Sequence, residues 1–243
     1  MDFVGPRYIK NYGRIYWLNI MDVDSHCVEV NPVKGKAAEH VIACLIRFWQ
    51  GFGIPDYLQM DNELSFRGSN GYPHSFGEII KFALSQRVTV IFIPQREPWR
   101  NGVIEKFNDT FDKKFFRKKI FTDYESMLTG AKEFEDFHNK YYHYQAIGNK
   151  TPLDEFSRIS YKPLLAKNYE LPKQYPPIDE GEIILVRFIR SDRKLDVFGE
   201  LFELPKEVVY SYVRAIICIK IHQLLVYQDD TVVASFRYMI TMK

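Results

Sequence analysis

The sequence predicts a mixed α/β domain followed by an all-β tail. Three observations carry this expectation. Up to about residue 157, β-rich runs alternate with segments of helical periodicity. A proline-punctuated stretch then occupies 171–178, and beyond it only short β-like runs remain.

Taken in order, Ile15 to Met21 and His26 to Val30 are β-rich runs. The turn-like Asp22-Val23-Asp24-Ser25 joins them in a hairpin pattern. Lys36 to Gln50 sets Ala38, Ile42, Leu45, Ile46 and Trp49 at helical spacing, and Gly51 and Gly53 stop it. Asp56 to Met60 reads as a short strand, Phe76 to Gln86 as a helix, and Thr89 to Ile93 as a strand closed by Pro94. The next helix can begin at Asn101, a favourable cap residue. Val103, Phe107, Phe111 and Phe115 form its apolar ridge, a core feature rather than a cofactor site. Glu105, Asn108, Asp109 and Asp112 share another face, with Lys106, Lys113 and Arg117 as a basic stripe beside it. A further helix spans about Tyr124 to Tyr144.

Pro172, Pro176 and Pro177 mark 171–178 as a linker. The expected organisation is therefore a domain over 1–170, the linker over 171–178, and a small β-barrel over 179–243. The barrel would be built from Glu182–Arg190, Leu195–Leu204, Tyr212–Ile221, Leu224–Gln228 and Thr231–Tyr238. No internal repeat or low-complexity tract is visible.

Composition narrows the class. With 46% apolar and 16% aromatic residues, the chain can bury a substantial core and does not read as disordered. Cys27, Cys44 and Cys218 are too dispersed for a disulfide framework or a CxxC zinc site. No apolar run approaches membrane-spanning length and no signal peptide is visible, so a cytoplasmic, reducing compartment is expected. The net charge of +2 hides an uneven distribution. Arg87 to Lys119 carries 9 basic and 4 acidic residues, whereas 178–243 carries 9 and 10. The basic cluster suits phosphate contacts with a polyanion, and equally suits a helix C-terminus stabilised by its own dipole.

Two acids stand out. Asp61 ends a short apolar strand, and Glu105 lies in the opening turns of an amphipathic helix. A third acid on an earlier strand would complete a carboxylate set able to grip two divalent ions roughly 4 Å apart for chemistry on phosphodiesters. Hard magnesium ions prefer such oxygen ligands. Asp2 is the candidate for the third, with Asp22 and Asp24 as competitors better explained as turn formers.

These residues carry a resemblance. Asp2-Phe3 before the hairpin, Asp61-Asn62, Asn101-Gly102-Val103-Ile104-Glu105 and Asn108 resemble the catalytic core shared by retroviral integrases and insertion-sequence transposases. This is the DDE family, with its ribonuclease-H-like fold. His138-Asn139 and Thr151-Pro152-Leu153-Asp154-Glu155-Phe156 resemble the ending of that core. The similarity covers about 2–157. It implies a mixed sheet with flanking helices and a metal-binding catalytic triad of Asp2, Asp61 and Glu105. It further implies two Mg2+ or Mn2+ ions, DNA as substrate, strand cleavage and strand transfer, and action as a homo-oligomer on DNA.

Asn108 would orient a bound water or phosphate, or simply decorate the helix surface. Arg100, Lys106, Lys113 and Arg117 would contact DNA, and Trp99 would stack on a base or pack its loop onto the core. The family pattern is departed from in three places. The interval between Asp61 and Glu105 is 43 residues, longer than usual, and the surplus falls in the Gly/Pro-rich loop from Arg67 to His74. Within it His74 reads as a solvated residue or a DNA contact. Glu63 adds a carboxylate beside Asp61, and Asp109 and Asp112 stand where relatives carry lysines. Only Met1 precedes Asp2, so a frayed first ligand and an N-terminally truncated chain are expected. The alternative function is a catalytically silent remnant that binds DNA or a full-length transposase.

Overall fold

The computed structural model describes residues 1–10, 12–68, 74–94, 97, 101–159 and 163–240. They form two compact units, 1–54 with 102–169, and 55–101 with 170–243. Each unit is thus assembled from two separate stretches of chain, a division that cuts across the sequential domains 1–170 and 179–243.

The first unit is built on an antiparallel meander of β1 (Asp2–Ile9), β2 (Gly13–Met21) and β3 (Val28–Val33). Asp2 pairs with Asn19, and Met21 with Val28 across the hairpin turn. The Asp22 carboxylate closes that turn, accepting hydrogen bonds from the Ser25 N–H at 3.0 Å and the Ser25 hydroxyl at 2.6 Å. Asp22 is therefore a turn former.

β1 is the element that the sequence pattern conceals. A Gly-Pro dipeptide generally favours turns, yet the strand absorbs Gly5-Pro6 as an irregularity between Val4 and Arg7, with Gly5 at φ 114°. Asp2 consequently begins an eight-residue strand that follows it in sequence, and Met1 is buried. The expectation of a frayed Asp2 is corrected: strand pairing with β2 holds it.

Helices α1 (Ala38–Phe52), α4 (Gly102–Lys114), α5 (Tyr124–Tyr141) and α6 (Pro152–Phe156) belong to this unit. α4 packs on β1 and β2 through Ile104, Phe107 and Phe111, joined just past its end by Phe115, all buried, whereas Val103 is 42% exposed. The apolar ridge starts one residue later than the i, i+4 reading suggests, because Ile104 and Phe107 share the inward face with Phe111. Trp17 is fully buried at the centre of this cluster, its ring 5.1 Å from Phe111 and 5.8 Å from Phe115.

α5 packs on β3, which is an edge strand among the described residues, and supplies hydrogen bonds to its outer edge. The Asn139 amide donates to Val28 C=O and accepts from Val28 N–H, both at 2.9 Å. Thr151 caps α6 with Pro152 at its first position, and Phe156 packs edge-on against Phe52 at 5.4 Å. The His-Asn and Thr-Pro motifs thus act as packing and capping devices.

The second unit contains β4 (Tyr57–Met60), α2 (Leu64–Arg67), α3 (Glu78–Ser85), β5 (Thr89–Phe92), β6 (Glu182–Phe188), β7 (Lys194–Val197), β8 (Glu200–Glu203), β9 (Tyr212–Cys218), β10 (Gln223–Gln228) and β11 (Thr231–Arg237). β4 and β5 are parallel, and β6 pairs parallel to β5. The result is a six-stranded mixed sheet ordered β11-β10-β9-β6-β5-β4, with β7 and β8 as a separate hairpin.

The tail is all-β as expected. Its pairing differs from a self-contained barrel, because β6 is the strand that extends the sheet of β4 and β5. The single run expected over Leu195–Leu204 folds back on itself at Phe198-Gly199, both at positive φ. The surplus loop is pinched at its base. A Cβ added to Gly68 would lie 2.7 Å from Gly77 Cα, so only glycines allow the two backbones to meet.

Candidate functional site

Asp2 and α4 are joined directly. The Asn108 amide donates to Asp2 Oδ2 at 2.8 Å, and its oxygen accepts from Asn19 Nδ2 at 2.8 Å. Asp2 Oδ1 accepts from the Phe3 N–H at 2.8 Å. Glu105 stands one turn before Asn108 in the first turn of the same helix, on the same side and half-buried. Asn108 is thereby occupied at both ends of its amide. The residue expected to meet water or phosphate ties the Asp2 carboxylate to the helix that carries Glu105.

Asn19 went unnoticed in the sequence. The signal was legible, since it is a polar residue in the apolar run from Ile15 to Met21, and it is fully buried. Its amide oxygen has no partner among the described residues.

Asp61 belongs to the second unit and lies just past the carboxyl end of β4. This is the end of a parallel strand, where open α/β sheets present ligand-binding groups. Its Oδ1 accepts from the Glu63 N–H at 2.9 Å, closing a tight turn. Glu63 itself precedes α2 as its N-terminal boundary. Asn62 anchors the turn: its amide donates to Ile93 C=O at 2.5 Å and accepts from Arg187 Nη2 at 2.7 Å. Arg187, on β6, is a second residue that sequence reading missed. It occupies an inward position of the alternation Ile183, Leu185, Arg187, Ile189, where all four are buried.

The basic stripe is partly neutralised by its own helix. Lys113 pairs with Asp109 at 2.8 Å and Arg117 with Asp112 at 2.6 Å, while Arg7 of β1 also reaches Asp112 at 2.7 Å. Lys106 is exposed. Asp109 and Asp112 thus moderate the positive field that composition suggested. Arg100 and Trp99 lie outside the described residues, as do residues 69–73 of the surplus loop. His74 is not a free loop residue. Its ring stacks on Tyr238 at 4.5 Å, bonds Met239 C=O at 2.7 Å and approaches Glu200 at 3.0 Å.

Elsewhere in the first unit, a cavity of about 710 Å³ is lined by residues including Glu29, Asn31, Arg47, Lys132 and Glu135. Burial pushes the Glu29 carboxyl up to about 7, against the opposing pull of Arg47. Burial likewise lowers His138 to about 4, among Phe107, Tyr142 and Tyr144.

No three His, Cys, Asp or Glu side chains among the described residues gather into a ready metal-binding cluster. The donor chemistry nevertheless suits a hard divalent ion. The acids nominated are carboxylates only, and those of Asp2 and Asp61 are already oriented by hydrogen bonds. No described helix is long and apolar enough to cross a membrane.

Among solved structures, a chain of the simian T-cell lymphotropic virus intasome matches with a TM-score of 0.54 at 14% identity. The match covers 98% of this chain and 75% of that one. The HTLV-2 integrase catalytic core domain in complex with magnesium, in its trimeric form, matches with a TM-score of 0.50 at 15% identity, over 64% of this chain and 92% of that one. The chain has an integrase-like fold. The catalytic core of BIV integrase, at a TM-score of 0.47 and 16% identity over 60% of this chain and 88% of that one, is too loose a match to add weight. No protein-family model matches the chain, and no curated protein matches its sequence. At these identities the likeness concerns the integrase-like fold alone: a mixed α/β, ribonuclease-H-like core with additional strands at its C-terminal end.

Proposed function

We propose that this chain is a DDE-type transposase or integrase that cleaves and joins DNA strands, with Asp2, Asp61 and Glu105 as its metal-binding carboxylates. One observation carries the reading. In a chain of integrase-like fold, Asn108 ties the Asp2 carboxylate to α4, one turn from Glu105. Two bound Mg2+ or Mn2+ ions would neutralise phosphodiester charge and activate the attacking hydroxyl.

The chain's own residues do the rest. Pairing of β1 with β2 fixes the Asp2 backbone, and Asn108 fixes its carboxylate. The turn at Asp61 holds the second acid at the mouth of β4. Lys106, exposed beside Glu105, is placed to meet a DNA phosphate, and Lys113 and Arg117 would do so by exchanging their carboxylate partners for phosphate. Arg100 is retained as a DNA contact on sequence grounds. Joining two DNA ends calls for a homo-oligomer, so DNA and further copies of this chain are the partners proposed.

The test is calorimetric titration of Mn2+ into the chain and its Asp2→Asn and Asp61→Asn variants. Weakened binding in both supports the triad, and an assay of strand transfer on DNA then follows. Binding that survives both substitutions overturns it. Loss with Asp61→Asn alone would instead favour the silent, DNA- or transposase-binding remnant.

A further inference from the structure

We propose that Arg187, in the first strand of the all-β tail, is a positioning residue for Asp61 and acts through Asn62. The inference rests on the reading of Asp61 as a metal ligand and extends it to a part of the chain to which that reading assigns no role.

Arg187 is an unusual occupant of its site. It is 7% exposed on a strand whose other inward residues are Ile183 and Leu185. A buried guanidinium is costly to desolvate, and an aliphatic side chain would pack there without that cost. Among the described residues no carboxylate forms an ion pair with it. Its donors go to neutral oxygens: Asn62 Oδ1 at 2.7 Å, Val186 C=O at 2.9 Å, Asp196 C=O at 3.3 Å and Ile93 C=O at 3.4 Å. Burial lowers its pKa to about 10, against the opposing pull of the Asp196 carboxylate, which leaves it charged at neutral pH.

Two of these four acceptors belong to the turn that follows β4 and to the end of β5. Asn62 bridges them, since its amide nitrogen donates to Ile93 C=O. The residue after Asp61 is therefore clamped between β5 and β6 by a side chain 125 positions away. Asp61 has its own local bond to the Glu63 N–H, which sets the turn's shape. The clamp sets where that turn sits on the sheet. Direct hydrogen-bond partners of metal ligands, when removed, typically weaken metal affinity about 10- to 100-fold. Arg187 acts one residue further out, so its effect belongs at the lower end of that range. The tail is thus part of what holds the second carboxylate in place.

The experiment uses the full chain and two readouts. Mn2+ affinity is measured by calorimetry, and amide exchange over residues 61–63 is measured without metal. Arg187→Met keeps the length of the stem and removes the bonds. Asn62→Ala removes the bridge while leaving Arg187 its carbonyl partners, and it serves if Arg187→Met does not fold. The expected result is about tenfold weaker Mn2+ binding and faster exchange at 61–63 in either variant. The double variant should be no worse than the worse single one, because both remove the same clamp. Unchanged affinity and unchanged exchange at 61–63, with only a lowered melting temperature, would overturn the proposal and leave Arg187 a structural residue. Asp61→Asn is the control: if it leaves Mn2+ binding intact, the metal reading itself has failed. In that case the exchange readout still reports whether Arg187 holds the turn.

Discussion

The two regions that present Asp2 and Asp61 use the same device with different reach. Each acid has an asparagine close by: Asn108 bonds the Asp2 carboxylate, and Asn62 follows Asp61 in the chain. Asn108 bonds Asp2 directly and is itself bonded by Asn19, so three residues from β1, β2 and α4 close the arrangement. Asn62 never touches Asp61 through its side chain in this way. It secures the adjacent backbone to Ile93 and to Arg187 of the tail. The first region is held by a compact aromatic core around Trp17, the second by a sheet that is completed only when β6 arrives. The lesson is that two acids expected to serve one site depend on different parts of the chain for their order.

The sharpest way to break this comparison is to end the chain after Ile178. Without β6, the parallel edge of β5 loses its partner and Asn62 loses Arg187. The expected loss is comparable to a small domain's whole stability, roughly 5 kcal/mol or more. Amide protection should vanish over β4 and β5, while the Trp17 core keeps its own. Persistent protection of Val90 and Phe92 would show that the second region is as self-sufficient as the first.

A titration sharpens the contrast from the other side. Burial raises the Glu29 carboxyl from 4.5 to about 7, so between these values the folded chain holds a proton that the unfolded chain has lost. Stability must then fall as pH rises through that window, by an amount on the order of 3 kcal/mol. Glu29→Gln should abolish this slope relative to the unsubstituted chain in urea melts at pH 4.5 and 7.5. Comparing the two chains removes the opposing contribution of His138, whose lowered pKa costs stability as pH falls from 6.5 towards 4. The change should register in the exchange of first-unit amides. If second-unit amides respond equally, the two regions unfold as one.

The smallest effect belongs to the first region's own clamp. Asn108→Ala removes two partly buried hydrogen bonds and should cost about 1–2 kcal/mol. Exchange should rise at Phe3 and Asn19 and stay unchanged at 61–63. A matching rise at 61–63 would mean that the Asp2 and Asp61 regions are coupled more tightly than their separate anchoring implies.

Much of the fold was legible before any coordinates. The helical spacing of Phe107, Phe111 and Phe115 and the glycine stop after α1 are local properties, as are the hairpin turn at Asp22 and the proline-rich stretch. They follow from helix period, turn chemistry and backbone restriction. The i, i+4 reading puts Val103 in the ridge where Ile104 belongs. β1 escaped because Gly5-Pro6 carries a turn signal that pairing with β2 overrides. Of the site, Asp2, Asp61, Glu105 and Asn108 could be nominated from residue types in order. Asn19 and Arg187 announced themselves only as polar residues in apolar registers, which marks a buried partner without saying which.

The sequence by itself therefore determined most of the helices and strands other than β1, the apolar face of the longer helices, and which acids stand at the ends of short elements. Only the tertiary structure decided that β6 pairs with β5, that Arg187 reaches Asn62, and that Asn108 bonds Asp2. The physical reason is that period and propensity specify how a segment buries its own surface. A strand's open hydrogen-bonding edge and a buried polar group accept any partner of suitable geometry, and the choice among partners is made by the whole chain at once.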